Sequence, residues 1–525
     1  MKNLLLLILF GFFIVSVSLA QAPAIQWQKC YGGTNSDQSF SVHQTSDGGY
    51  IIGGVSRSSD GDLTYHYGSD VYNDYWLVKT DADGMLQWQK VYGGTQIERL
   101  KYVIQTYDGG YLMVGWTYSN DGDVTGTQAL GDVWAVKTDT AGNIQWQKTT
   151  GGSAADDGYR VIQTADSGFV ISGNSRSVDG DVSGNHGFAD YWMVKLSAGG
   201  SVLWQKSFGG STTDEESSLQ QTADGGYILA GTSYSNNGDV SGHHGSTSTS
   251  DCWVLKTDSA RNIVWQHSYG GTYSEGEFEL KIASDGGYII TGLAHSNDGD
   301  VSGHHGTTST SDVWVLKLDT AGNLLWQKSY GGTGNDEGLG ISVCSDGGYI
   351  IAGSTASTDG DVTSNNGITD YWLIKIDSLG NIQWQKTMGG TLDDEAMAVE
   401  QTIDGGFIVT GFTQSNDVDV SGNHGDVDIW LVKLAGANGI SQSSSSDFPG
   451  LFFPNPFHSN ITLRLPQTFA QAELRIYNAQ GKEVRRQMIR EKITVFNRNG
   501  MSNGVYYFEV INDNGEIECG KIIIE

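Results

Sequence analysis

Seven times the chain places two polar residues around a turn residue. The triplets are Asp60-Gly61-Asp62, Asp121-Gly122-Asp123, Asp179-Gly180-Asp181, Asn237-Gly238-Asp239, Asp298-Gly299-Asp300, Asp359-Gly360-Asp361 and Asp417-Val418-Asp419. Carboxylates this close on a glycine-containing loop can supply oxygen ligands to Ca²⁺, with following Ser or Thr hydroxyls and backbone carbonyls completing the shell. Calcium is therefore the one cofactor the sequence suggests, held by Asp60, Asp62, Asp121, Asp123, Asp179, Asp181, Asp239, Asp298, Asp300, Asp359 and Asp361. The spacing is not that of an EF-hand, whose twelve-position ligand pattern and closing Glu are missing. Asp-Gly is also ordinary turn chemistry, each carboxylate capping nearby N–H groups. Turn chemistry is the stronger of the two readings.

Other reactive residue types follow the same rule of recurrence. His186, His243, His244, His304, His305 and His424 sit in the loop that follows each triplet, where imidazoles beside carboxylates could take Zn²⁺. They recur without a converging partner, which favours packed or exposed loop positions. Glu275, Glu277 and Glu279 form an acidic cluster in one repeat, and two carboxylates across a cavity could hydrolyse a glycoside. Asp214-Glu215-Glu216, Asp336-Glu337 and Asp393-Asp394-Glu395 occupy the equivalent place elsewhere, so this cluster reads as a solvated rim. Trp116 could stack on a sugar, yet Leu293 and Phe412 fill its slot in other repeats, which favours packing. No nucleophile triad order, phosphate-binding loop or His-Glu-x-x-His segment is present, and no catalytic residue is assigned.

The elements that carry these residues are set by a period. A Trp recurs at 27, 88, 146, 204, 265, 326 and 384, a spacing of 58 or 61 residues. Such a period fixes an architecture before any local reading. In the second repeat, a strand from about Arg99 to Thr106 ends at the Asp108-Gly109-Gly110 turn. The run Tyr111–Gly115 is continuously apolar, as in a strand buried on both faces. Asp132–Lys137 and Ile144–Lys148 make the third and fourth strands. Four short antiparallel strands repeated seven times predict a β-propeller, an all-β fold. All five prolines lie at 23 or beyond 448, so no predicted strand loses a ladder donor. The array, residues 24–436, starts with a fourth strand (25–29) and stops after a third (428–433); a closed ring makes those fragments whole. The loop after each triplet holds all the length variation, 12 residues from Asp62 to Asp74 but 9 from Asp123 to Asp132. Variation on a constant frame marks it as the expected recognition face.

The net charge of −30 arises in the repeats, since the tail beyond residue 450 carries nine Lys/Arg against eight Asp/Glu. A surface so acidic argues against nucleic acid and anionic lipid as partners. Lys2, an apolar run over 4–17 and Ser18-Leu19-Ala20 read as a signal peptide over 1–20. No other segment is apolar enough to span a bilayer. Cys30, Cys252 and Cys344 replace ordinary strand residues and read as free thiols.

Two resemblances extend this reading. The phrase Asp139-Thr140-Ala141-Gly142-Asn143-Ile144-Gln145-Trp146 resembles the tryptophan-docking repeat of quinoprotein propellers, one residue tighter. That likeness implies blade docking and not a quinone cofactor. After a Ser-rich linker at 437–450, residues 451–525 resemble the type IX secretion C-terminal sorting domain of Bacteroidetes. The resemblance rests on Pro454-Asn455-Pro456-Phe457, the strand 461–465, the segment 474–484 (LRIYNAQGKEV), Gly504–Phe508 and Lys521-Ile522-Ile523. Alone, the tail reads as a small β-sandwich. The family implies passage through the Sec pore and the type IX translocon, then release or retention at the outer surface. The functional expectation is a secreted or cell-surface monomer that binds an extracellular glycan or protein. A polysaccharide-degrading enzyme and a structural surface-layer component are the alternatives.

Overall fold

The computed structural model describes residues 21–128 and 130–436, and in the tail 452–453, 460–464, 472–478, 482–490, 493–498, 500–512 and 517–524. The expected leader (1–20), the linker (437–450) and Pro454–Phe457 lie outside the described residues. The chain divides into two compact units, Met1–Asn438 and Gly439–Glu525.

The first unit is a seven-bladed β-propeller whose blades are all four-stranded antiparallel sheets. In the second blade the strands are Glu98–Gln105, Tyr111–Thr117, Asp132–Thr138 and Ile144–Thr150; the first begins and ends one residue earlier than the sequence pattern predicts, and the others run one or two residues past their predicted ends. The ring is closed by non-local pairing. Strand Ile25–Tyr31 lies antiparallel beside Asp428–Leu434, Cys30 opposite Trp430, and completes the sheet begun by Asp394–Gln401 and Phe407–Thr413.

The repeated phrases explain why the blades form and dock. The second and third strands are buried throughout most of their length, as a sheet covered on both faces requires. The Trp of Asp-x-Trp is fully buried and donates its Nε1–H to the Gln of Trp-Gln-Lys, at 2.8–3.0 Å in all seven blades. In the last blade that acceptor is Gln28, so the same bond seals the ring. The Lys of the third strand lies almost wholly buried against the Asp of Asp-Gly-Gly, as in Lys79–Asp47 at 3.0 Å and Lys137–Asp108 at 2.9 Å. The fourth-strand Trp reaches the next blade. Trp27 packs on Gly84, and Trp146 donates to the Ala198 carbonyl at 3.1 Å. This is the blade docking that the quinoprotein-like phrase implies.

The second unit contains two sheets. One comprises Phe452–Phe453, Asn460–Arg464 and Ile493–Asn497; the other comprises Glu483–Ile489, Ala472–Asn478, Gly504–Asn512 and Ile517–Ile524. Leu463 and Phe496 from the first share a core with Leu474, Ile476 and Phe508 from the second, which makes it a β-sandwich. Among the described residues, no helix is long and apolar enough to cross a membrane.

Candidate functional site

The Asp-Gly-Asp loops are latches. The first carboxylate of each triplet accepts the N–H of the Thr or Ser after Gly-Gly, in the connector from the preceding blade. Thr34–Asp60, Thr95–Asp121, Ser153–Asp179, Thr272–Asp298, Thr333–Asp359 and Thr391–Asp417 span 2.7–2.9 Å, and Asn237 does the same for Ser211. The Thr95 backbone and hydroxyl hold the Asp121 carboxyl below its ordinary range. The second residue reaches the first glycine of the connector. Asp62, Asp123, Asp239, Asp300, Asp361 and Asp419 accept its N–H at 3.1–3.4 Å, and all seven, Asp181 included, donate their own N–H to that glycine's carbonyl. Geometry favours glycine in the middle: Gly61 has φ +66°, and a Cβ there would crowd the Gly32 carbonyl. Among the described residues, no three His, Cys, Asp or Glu side chains stand in metal-binding geometry.

Histidine and the strand-start acids are also absorbed into the frame. His186, His244, His305 and His424 place Nδ1 2.7–2.9 Å from the Asp that opens the third strand. The strand-start acids correct the expectation of a solvated rim. Asp37, Glu98, Asp156, Asp214, Glu275, Asp336 and Asp394 are fully buried, held by hydroxyls of their own blade such as Ser58 on Asp37 at 2.7 Å. Each lies with the buried third-strand Asp of the preceding blade against one glycine, as Asp74 and Glu98 lie over Gly93. One oxygen of each third-strand Asp makes no hydrogen bond of good geometry. Burial, with Glu98 alongside, pushes Asp74 up to about 9, and burial pushes Glu275 up to about 8. Asp74 and Glu275 therefore keep their protons at neutral pH.

The site the sequence does not place lies on the axis. Each inner strand, the first of its blade, carries a β-bulge near its middle. Pairing skips between Ser39 and Ser41, Leu100 and Tyr102, Gly158 and Arg160, Glu216 and Ser218, Gly276 and Glu279, Gly338 and Gly340, and Ala396 and Ala398. A bulge re-aims a side chain. The residues it frees, Phe40, Lys101, Tyr159, Ser217, Leu339 and Met397 in six blades and Glu277 with Phe278 in the fifth, all line one cavity of about 560 Å³. Volumes of roughly 300–1,000 Å³ are typical of small-molecule sites.

The cavity is electrically divided. Arg99, Lys101 and Arg160 come from the second and third blades; Glu215, Glu216, Glu277, Glu337 and Glu395 come from the fourth to the seventh. Lys101 Nζ lies 4.9 Å from the Phe40 ring centre and 5.4 Å from that of Tyr159. Burial, with Arg99 and Arg160 nearby, lowers Lys101 to about 8. Opposite, burial together with Glu277 and Glu395 raises Glu337 to about 7. Glu277 is held at φ +57°, a left-handed conformation that costs a non-glycine residue about 1–2 kcal/mol. Trp116 is not among the lining residues; it is half-buried and packs edge-on against Tyr118. Acid clusters at strand starts were visible in sequence, but their division between frame and cavity depends on the bulges.

Residues 451–525 match the secretion system C-terminal sorting domain, and the protein is thereby a type IX-exported, secreted or cell-surface molecule carrying a propeller. A 162-residue stretch is 30% identical to the regulatory protein FlaEY of Caulobacter vibrioides, covering 29% of this chain and only 17% of that protein. Similar solved structures include the extracellular domain of a hybrid two component system from B. thetaiotaomicron (10% identity, TM-score 0.42, covering 96% of this chain and 60% of that one). The Neurospora crassa Pan2 WD40 domain (10%, TM-score 0.42, 76% and 97%) is another. PorZ, a surface component of the Porphyromonas gingivalis type IX system, is a third (10%, TM-score 0.19, 97% and 87%).

Proposed function

We propose that this protein is an extracellular recognition module whose ligand, from a glycan or a protein, enters the axial cavity. The observation that carries the reading is the bulge set: seven bulges in a near-uniform frame each free a side chain, and those side chains differ from blade to blade. A frame that repeats and a lining that does not is what selective binding needs, since placed polar and charged groups fix a ligand's orientation. This moves recognition from the Asp-Gly-Asp loops to the inner strands.

The experiment is a glycan array and a protein-ligand screen on the exported protein, run beside Lys101→Met and Glu337→Gln. Binding lost in either variant supports the reading; a bound ligand indifferent to both overturns it. A polysaccharide-degrading enzyme remains the second reading because Glu337, at about 7, could donate a proton at neutral pH. Turnover in a hydrolase screen, abolished by Glu337→Gln, would replace binding with catalysis.

A further inference from the structure

We propose that the axial cavity accepts a zwitterionic ligand of amino-acid to short-peptide size, its ammonium against Glu277, Glu337 and Glu395 and its carboxylate against Arg99 and Lys101. This rests on the reading of the cavity as the binding site and adds the chemistry of what enters.

The first support is unspent charge. Among the described residues, Arg160 pairs with Glu279 at 3.7 Å and Glu215 with Arg176 at 3.8 Å. Among the described residues no ion pair within 4 Å joins Arg99, Lys101, Glu277, Glu337 or Glu395 to another group, although Asp157 and Glu277 lie near enough to act on Lys101. The frame treats its ions differently, giving every third-strand Lys a carboxylate. The second support is an orphaned buried group. Glu216 lines the cavity at 1% exposure; the Ser172 hydroxyl and the Ser218 backbone lie beside its carboxyl and Arg160 acts on it, yet neither oxygen makes a hydrogen bond of good geometry. Arg99 Nε is buried without an acceptor as well. Buried polar groups are normally satisfied, so such orphans point to a missing partner.

The two poles also select the partner. A metal ion would answer the acidic arc but leave Arg99 and Lys101 facing each other. A sulfated or uronic-acid chain would satisfy the cations yet meet Glu277, Glu337 and Glu395. A molecule carrying both an ammonium and a carboxylate answers both ends, and each pole then relieves a repulsion between like charges of the wall. Between them, Phe40, Leu339, Met397 and Phe412 offer an apolar surface for a side chain.

The test is calorimetric titration of the full exported protein with trialanine, N-acetyl-trialanine and trialanine amide. Trialanine is expected to bind, and blocking either end to weaken it at least tenfold, the loss of one charge-assisted contact. Lys101→Met should abolish discrimination between acid and amide, and Glu337→Gln that between amine and N-acetyl. Melting curves like those of the parent would show both variants folded. Trialanine that fails to bind, or binds equally well when blocked, overturns the inference. If a glycan binds instead and is lost in Lys101→Met, the cavity reading survives while the zwitterion fails; if bound ligand ignores every cavity variant, the cavity reading falls too.

Discussion

The outer three strands and the inner strand of each blade obey different rules. In the outer strands, Trp76 and its six counterparts all donate to a Gln, and Lys79 and its counterparts all meet an Asp. In the inner strands the first residue is constant, a buried Asp or Glu, whereas the bulged residue ranges from Phe40 to Lys101 to Ser217. The difference teaches that repetition and function are separated by depth along the sheet. Contacts that bind blade to blade must be copied seven times, because each interface faces the same packing problem. The axis is met once by all seven strands, so each can differ without disturbing a neighbour.

That contrast can be broken most forcefully from the frame side. Trp134→Ala removes a fully buried ring and its bond to Gln147, and should cost about 3–5 kcal/mol by denaturant melting. Lys101→Met, on the cavity wall, should change stability by less than about 1 kcal/mol while removing binding. If the two variants destabilise equally, the separation of frame from cavity is wrong.

A pH series comes next. Asp74, raised to about 9, Glu275, to about 8, and Asp132 and Asp214, to about 6, all lie above their unfolded values through burial. Their neutral forms favour the fold, so this contribution is full below about pH 4 and is lost as pH rises through 6 to 9. Asp47 and Asp108 are lowered by hydrogen bonds from Thr45 and Thr106 and by Lys79 and Lys137, so their contribution is lost in acid. The melting temperature should therefore peak in mild acid and be lower at pH 9 than at pH 5; a curve that rises toward pH 9 would show the pairs are fully ionised.

Val418 offers a smaller, opposite effect. It holds φ +56° where six other repeats use glycine, so Val418→Gly should stabilise by about 0.5–1 kcal/mol, read as a higher melting temperature. The smallest effect concerns metal. Because the loop carboxylates already accept N–H groups, a chelator and millimolar Ca²⁺ should give superimposable melts. A calcium-dependent rise would restore the loops as ligands.

Much of this was legible before any coordinates. The period, the Asp-Gly-Gly turns and the fragmentary ends specify blades and closure, because each follows from local chemistry or counting. The bulge was not legible, since it is a property of pairing: Lys101 looks like one more strand residue until Leu100 is seen opposite Gly115 and Tyr102 opposite Val114. Glu275 and Glu277 stand two apart, yet one is buried in an interblade pair and the other faces the axis. One sequence signal was available: between the constant acid that opens each inner strand and the apolar residue at its sixth position, the four intervening residues vary in type from blade to blade.

The pairing of Ile25–Tyr31 with Asp428–Leu434 gives the molecule a clock. A chain emerging from its N-terminus must carry its opening strand idle, an unsatisfied edge, until some four hundred residues later its neighbour arrives. Long-range closure of this kind is slow and exposed to wrong partners. The sorting tail follows that neighbour in the chain. A molecule that displays its address has, by order of synthesis, already made every strand its ring requires.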